Sequence, residues 1–247
     1  MQLLRSFAFT LLLMVWTFSY AVFFIAVAWA LPLERRYALV RWYARRIFDG
    51  LGLICGLRFD IQGTEHIPAE PHVAFWKHSS AWETFAQFMV GPSKVIVLKH
   101  ELMYVPFFGW GLALLRSIPV NRGAGSSAVA QVLEHGRQRL AEGLSVLVFP
   151  EGTRMAPGAT GRYGISGALL ASSVGCKVVP VAHDAGYYWA RRGLLKKPGI
   201  VRVRVGPPIV AAGREPRSIN DEAQAWIEQT VASLRAEAAT LDTASRR

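Results

Sequence analysis

The sequence reads His72-Val-Ala-Phe-Trp-Lys-His78-Ser-Ser-Ala-Trp-Glu83-Thr where a short apolar run meets a histidine and, five positions later, a carboxylate. Histidine is the side chain best suited to move a proton near neutral pH. A carboxylate on its other ring nitrogen can set the tautomer and stabilise the imidazolium. Because residues five apart do not share a helix face, we expect His78 in the turn before a helix and Glu83 in its first turn.

Other apolar runs end in polar residues in the same way. Ser145-Val-Leu-Val-Phe-Pro-Glu-Gly-Thr-Arg154 is one, and Ile118-Pro-Val-Asn-Arg122 is another. Strand patterns occupy 59–62, 73–76, 94–98, 117–120, 146–149, 178–182 and 201–205, and helical patterns occupy 81–90, 126–142, 166–174 and 218–239. Gly175 suits the C-cap of the third of these helices. The alternation of strand and helix predicts an α/β layered fold with a mostly parallel or mixed sheet.

Composition limits the partners of this chain. It has 247 residues, a net charge of +11 and a hydrophobic fraction of 52%. This charge favours an anionic partner, and the candidates are nucleic acid, an anionic membrane surface or a phosphorylated substrate. The basic residues cluster beside an apolar segment rather than on an RNA-reading motif, so we predict no nucleic-acid partner. Cys55 and Cys176 lie in apolar surroundings and are predicted to be buried thiols.

The N-terminal segment from Phe7 to Leu33 has no charged residue. A bilayer core requires about 20 apolar residues, so a spanning helix and a hairpin dipping into one leaflet are both possible. Ala28-Trp-Ala30 resembles a signal-peptide cleavage site, but the apolar run exceeds the roughly 7–15 residues usual in signal peptides. We therefore predict a retained anchor. The arginines that follow it place the rest of the chain on the cytoplasmic side.

Residues 34–56 alternate arginines with aromatic and aliphatic residues. This pattern predicts an interfacial amphipathic helix with cations at the level of the lipid phosphates. The alternative is a helix that packs its apolar stripe on the next domain. The predicted organisation is a membrane anchor with this helix over residues 1–57 and a catalytic domain over residues 58–247.

The candidate site residues each have a second interpretation. Ser80-Ala-Trp-Glu83 fits a capping box, in which the glutamate accepts from the serine amide, so a cap and a catalytic partner both remain open for Glu83. Lys99, Arg122 and Arg154 each follow an apolar run and would form an anion cradle if those runs are neighbouring strands. Otherwise they are solvated surface cations.

The turn after the apolar run at residues 145–149 offers several polar groups. In Glu151-Gly-Thr-Arg154, Gly152 permits close backbone approach, while Thr153 and Arg154 offer donors. A metal site is not predicted. His72 and His78 would lie about 20 Å apart on a strand, too far to share an ion.

Four blocks of the sequence, taken in order over roughly residues 58–210, resemble those of a known family. They are His78-Ser-Ser-Ala-Trp-Glu83; Lys99-His-Glu101-Leu102 with Phe108-Gly109 and Ile118-Pro-Val-Asn121-Arg122; Phe149-Pro-Glu-Gly-Thr-Arg154; and Val179-Pro-Val-Ala182. The family is the lysophospholipid acyltransferase superfamily, and the blocks are most similar to those of the 1-acyl-sn-glycerol-3-phosphate acyltransferases. Glu83 stands where the first block usually has aspartate.

The resemblance implies a layered sheet with flanking helices and an N-terminal membrane-anchoring helix or helical hairpin. It implies that His78 is the general base and that Glu83 orients it and stabilises its charge. Lys99, Arg122 and Arg154 would contact the acceptor's phosphate, with Thr153 beside them, and Glu151 and Gly152 would shape the acceptor site.

The implied reaction transfers a fatty acyl group from acyl-CoA or acyl-carrier protein to the sn-2 hydroxyl of lysophosphatidate, giving phosphatidate. No cofactor is expected beyond this thioester substrate. Two alternatives remain open. One is acylation of another lysolipid, such as a lyso-aminolipid, and the other is a basic protein that binds anionic lipid without chemistry.

Overall fold

The structure, a computed structural model, describes residues 1–244, with all side chains except those of Arg122 and of residues 241–244. In this part of the chain the helices are α1 (Gln2–Ala28), α2 (Leu33–Cys55), α3 (Glu83–Ala86), α4 (Phe108–Leu114), α5 (Ser126–Ala141), α6 (Ser166–Val174), α7 (Ala185–Tyr188) and α8 (Pro216–Ala244). The strands are β1 (Leu57–Gln62), β2 (Val73–Trp76), β3 (Lys94–Lys99), β4 (Ile118–Val120), β5 (Ser145–Val148), β6 (Lys177–His183), β7 (Gly199–Val205) and β8 (Ile209–Val210).

The eight strands form one mixed sheet in the order β1-β7-β6-β2-β5-β3-β4, with β8 paired to β6. The five neighbours β6, β2, β5, β3 and β4 are parallel to one another. Only β6 with β7 and β6 with β8 pair antiparallel among the described strands. The carboxyl ends of five adjacent strands therefore meet at one edge, and the polar residues that follow β2, β3, β4 and β5 are brought to it.

Each predicted strand is present, with bounds within two residues of those expected. The sequence pattern missed β8, α4 and α7. The α4 segment Phe-Gly-Trp-Gly-Leu-Ala-Leu contains two glycines, which disfavour an isolated helix. The helix expected over residues 81–90 is instead α3 followed by a 3₁₀ turn at Gln87–Met89. Gly175 adopts the predicted C-cap of α6 with a φ of 75°.

Helices cover both faces of the sheet. Along β2, Ala74 and Trp76 pack in one apolar cluster with side chains of α1 and α2. Val73 and Phe75 pack in a second cluster with side chains of α5, α6 and α8. A strand buried on both faces needs a continuous apolar run. These strands are therefore recognisable in the sequence although apolar and polar residues do not alternate along them.

The N-terminal helix α1 is long and apolar enough to cross a membrane, but it lies against the rest of the protein near both of its ends. Gln2 Nε2 donates to the Cys55 carbonyl at 3.0 Å. Farther along the helix, the Phe18 ring meets the Phe107 ring edge-on at 5.6 Å. The side of α1 facing away carries exposed Leu4, Leu11 and other apolar side chains. A helix held in this way exposes one apolar face rather than its whole circumference.

The interfacial interpretation of residues 34–56 is corrected by the packing of α2. Its apolar stripe is buried inside the protein and consists of Tyr37, Val40, Tyr43, Ala44, Ile47, Phe48, Leu51 and Cys55. Two of its arginines bind backbone carbonyls of the protein body: Arg36 donates to Leu114 at 2.9 Å and Arg41 donates to Phe88 at 3.2 Å. The alternative of a helix packing on the next domain is therefore the observed one, although Trp42 and Leu53 of α2 remain exposed.

Replacing two outward leucines of α1 by glutamate tests this surface. Leu4 and Leu11 are 67% and 56% exposed, so we expect Leu4→Glu/Leu11→Glu to fold with an unchanged thermal midpoint. Each leucine buried in lipid contributes about 1.5–3 kcal/mol, so the double variant should leave the membrane fraction on washing with high salt while the parent protein stays.

The matched control is Val174→Glu/Val210→Glu, which alters two exposed valines outside α1. It should remain with the membrane as the parent does. Equal retention of the Leu4/Leu11 variant after the salt wash would show that lipid does not contact this face of α1.

Candidate active site

His78 and Glu83 form a buried pair at the carboxyl end of β2. The Nδ1 atom of His78 lies 2.6 Å from Glu83 Oε1. The imidazole stacks on the Phe149 ring at a centroid distance of 4.2 Å, which holds it from one side. Since Nδ1 is bonded to the carboxylate, Nε2 is the ring nitrogen suited to accept a proton from a substrate. This is the base–carboxylate arrangement expected from the sequence.

The Glu83 carboxylate also organises the turn that precedes it. Oε1 accepts from the Ser79 amide at 3.0 Å, and Oε2 accepts from the Ser80 amide at 2.8 Å. The Glu83 carboxylate therefore holds the turn before α3 as well as partnering His78, but the predicted capping box is not formed, because the N-cap of α3 is Trp82 and receives no side-chain cap bond. Burial raises the pKa of Glu83, while the charge of Arg154 and the amides of Ser80 and Ser79 oppose that rise.

A second buried histidine, His183 at the end of β6, reaches the other carboxylate oxygen. Its Nε2 lies 3.2 Å from Glu83 Oε2 and 2.8 Å from the Lys77 carbonyl. Burial lowers the pKa of His183 to about 4, so the ring is neutral at pH 7. Since Nδ1 accepts from the Ala185 amide at 3.3 Å, the hydrogen is on Nε2 and is shared between the carbonyl and Glu83.

Glu151 binds the backbone of the catalytic loop. Its Oε2 accepts from the His78 amide at 2.5 Å, and its Oε1 lies 2.6 Å from the Lys77 ammonium. The same ammonium lies 2.7 Å from Glu228 of α8. Burial raises the pKa of Glu151 to about 7, and the Lys77 charge opposes this. The Glu151 side chain is fully buried, so it holds the His78 backbone and does not line the cleft beside His78.

The turn after β5 borders an open cleft of ≈ 260 Å³ lined by His78, Thr153, Arg154, Arg191 and Arg192. Gly152 has a φ of 67°, and a Cβ there would meet nothing within 4 Å. Glycine is therefore needed for the left-handed backbone rather than for close approach by another protein group. Arg154 Nε lies 4.0 Å from Glu83 Oε1, so its charge reaches the catalytic pair.

Lys99 is the last residue of β3 and Arg122 follows β4, so both lie at the same sheet edge, one and two strands beyond β5. The Lys99 ammonium forms an exposed ion pair with Glu101 at 2.9 Å and does not line the cleft. The Arg122 side chain lies outside the described part of the structure. Of the three predicted cations, Arg154 is the one that the structure shows beside His78.

Sequence reasoning missed five residues at this site, namely Lys77, His183, Arg191, Arg192 and Glu228. His183 directly follows the fourth block and Lys77 directly precedes His78, so their positions at strand ends were the available signal. No sequence pattern links the remaining three residues to His78. Two of them, Arg191 and Arg192, are in a loop, and Glu228 is in α8. Among residues 1–244, no group of three histidine, cysteine, aspartate or glutamate side chains is placed to hold a metal ion.

Known proteins resemble this chain in sequence and in fold. Residues 58–184 match the model of the family described as Acyltransferase. A 1-acyl-sn-glycerol-3-phosphate acyltransferase of Pseudomonas aeruginosa is 39% identical over 239 residues, covering 94% of this chain and 92% of that protein. The 1-acyl-sn-glycerol-3-phosphate acyltransferase alpha of Mus musculus is 26% identical over 168 residues, covering 66% of this chain and 59% of that protein.

A solved structure shares the fold. The crystal structure of the 1-acyl-sn-glycerophosphate (LPA) acyltransferase from Thermotoga maritima has a TM-score of 0.79 and 20% identity, covering 95% of this chain and 96% of that chain. The layered sheet with flanking helices predicted from the sequence is thereby confirmed.

The Glu83→Gln variant removes the negative charge of this side chain while keeping an oxygen that can accept from the Ser80 amide. Glutamine retains an acceptor for the Ser80 amide but cannot balance an imidazolium at His78. We expect turnover to fall by about two to four orders of magnitude, with a much smaller change in thermal midpoint. Glu65→Gln, at an exposed glutamate, is the control and should match the parent protein. Unchanged turnover in Glu83→Gln would leave Glu83 as a residue that holds the turn alone.

His183 is predicted to act as a positioning residue through Glu83. A hydrogen bond to a charged group contributes about 1.5–3 kcal/mol, so His183→Ala should lower kcat about 10- to 100-fold with little change in KM. His183→Gln retains a donor near the position of Nε2 and should recover part of the loss. A purely structural role would instead lower the thermal midpoint and leave kcat per folded molecule intact in both variants.

Proposed function

Because this chain belongs to the acyltransferase family, we propose that it transfers a fatty acyl group from an acyl thioester to the sn-2 hydroxyl of 1-acyl-glycerol-3-phosphate, yielding phosphatidate. The observation that carries the proposal is the bond between His78 Nδ1 and Glu83 at the floor of a cationic cleft. That arrangement supplies a proton acceptor beside a site for a negatively charged acceptor substrate.

The proposed step needs no covalent acyl-enzyme. The acceptor hydroxyl loses its proton to His78 Nε2 as its oxygen attacks the thioester carbonyl. The carbon–sulfur bond then breaks, and the imidazolium returns the proton to the departing thiolate. Glu83 stabilises the imidazolium between these two transfers. General-base assistance of this type contributes about 10²–10⁴-fold, and positioning of the two substrates contributes much of the remainder.

The location of the enzyme follows from α1 and the substrates. We place the enzyme on the membrane, with its cleft able to receive a lipid acceptor and the outward face of α1 in contact with lipid. We also place the catalytic domain in the cytoplasm, where acyl-CoA and acyl-carrier protein are found. Both donors are anionic, and the net charge of +11 suits either of them as well as an anionic membrane surface.

A thioester-release assay with a panel of lysolipids tests the proposal. The protein, purified in vesicles of fixed composition, should release thiol from acyl-CoA or acyl-carrier protein when lysophosphatidate is supplied. Release should be much slower with lysophosphatidylcholine, with a lyso-aminolipid or with uncharged monoacylglycerol. Preference for another member of the panel would reassign the acceptor, and no release with any member would exclude an acyltransferase acting on these lipids.

His78→Ala should lower turnover by about two to four orders of magnitude, because the proton acceptor is lost. The control is His135→Ala, at an α5 histidine outside the cleft. Binding of the variant to vesicles, measured by flotation, should equal that of the parent. A folded His78→Ala protein with more than about a third of the parent rate would show that His78 is not the base.

A further inference from the structure

The loop between α7 and β7, residues 189–198, carries two arginines into the cleft beside His78. Arg191 and Arg192 line it together with His78, Thr153 and Arg154, so the lining includes three guanidinium groups and no carboxylate. Arg191 Nη1 donates to the Arg154 carbonyl at 2.7 Å, which ties this arginine loop to the turn after β5. No described residue forms a hydrogen bond or ion pair with the Arg192 guanidinium. This cluster of like charges favours an anionic ligand.

The arginine loop is held rigidly at both of its ends. Near its start, the Trp189 carbonyl accepts from the Ser80 hydroxyl at 2.6 Å, which links the loop to the turn that holds His78. Near its end, Lys196 is buried, its amide donates to Ser6 Oγ at 2.9 Å, and its carbonyl accepts from Gln2 Nε2 at 2.6 Å. The Lys196 ammonium also lies 4.8 Å from the centre of the Trp189 ring. The tip with the arginines is thus fixed relative to the catalytic turn and to α1.

The chemistry of the two substrates decides which anion this cluster suits. In 1-acyl-glycerol-3-phosphate the phosphate is on the carbon next to the one bearing the reacting hydroxyl. When that hydroxyl is at His78, the phosphate must lie in the same cleft. The phosphates of acyl-CoA or acyl-carrier protein are separated from the thioester by the long pantetheine arm, so they would lie well outside. A phosphomonoester beside His78 is therefore the matching ligand.

We propose that the acceptor's phosphate is bound between Arg154 and the arginine loop, with Arg191 and Arg192 supplying the second side of the site. This inference rests on the proposed function, since it assumes a phosphorylated lysolipid acceptor. It replaces Lys99 as a phosphate ligand, because that ammonium is paired with Glu101 at the surface. Because α1 holds the loop, the phosphate site lies next to the helix whose outer face meets lipid, where a membrane-resident lysolipid presents its headgroup.

Arg192→Ala is the principal test, because this guanidinium supports no other described group. In vesicles of fixed composition, KM for lysophosphatidate should rise about 10- to 100-fold, while KM for the acyl donor stays within about twofold. Arg192→Lys should retain part of the affinity, since it retains the charge but not the planar fork. Arg191→Ala/Arg192→Ala should show a larger rise. Inorganic phosphate should compete with lysophosphatidate in the parent protein and far less in the double variant.

Arg217→Ala on α8 is the control and should leave KM for lysophosphatidate near that of the parent. A rise in KM for the donor equal to that for the acceptor would place donor phosphates at the arginine loop and overturn the inference. Unchanged KM values in the double variant, or a rise with Lys99→Ala as large as that with Arg192→Ala, would also overturn it. If the parent protein shows no preference for lysophosphatidate, the proposed function itself fails, which is a separate result.

Discussion

The active site depends on one buried carboxylate. Glu83 accepts from two successive backbone amides, bonds His78 through one oxygen and lies within reach of His183 through the other. Removing such a group from water is costly, and its pKa rises accordingly. The hydrogen-bond donors around Glu83 offset part of that cost. Through these bonds, Glu83 holds its own turn, His78 and the end of β6 in one arrangement. The glutamate, one methylene longer than the aspartate usual in its family block, bonds both its own turn and His78.

A second buried charge cluster supports the same turn from the opposite side. Lys77 pairs with Glu151 and Glu228, and Glu151 binds the His78 amide. Tyr163 also donates to Glu228 at 3.0 Å. Buried ion pairs of this kind add little net stability, because desolvation offsets their attraction. Their consequence here is geometric. They join the turns after β2 and β5 to the terminal helix α8, so a residue 150 positions from His78 contributes to the placement of the base.

The N-terminal helix contacts the loop that carries Arg191 and Arg192. Its outward face is apolar, while its inward face includes Gln2 and Ser6, which hold the backbone of the loop that brings Arg191 and Arg192 to the cleft. A single helix thus carries an exposed apolar face and also holds the loop that places cations beside His78. This arrangement suits chemistry on a substrate whose acyl chain remains in the bilayer while its headgroup reacts.

By itself, the sequence determined seven of the eight strands, the α/β class, the apolar N-terminal segment and the His78–Glu83 pair. These depend on local patterns, since strands buried on both faces read as apolar runs and the pair lies within one turn. Tertiary structure decided what depends on distant contacts. The apolar stripe of α2 is buried because the sheet and α1 pack against it. Lys99 lies outside the cleft although it ends a parallel strand. Sheet order and the anchoring of the arginine loop place His183, Glu228 and Arg192 near His78. Neither feature has a local pattern in the sequence.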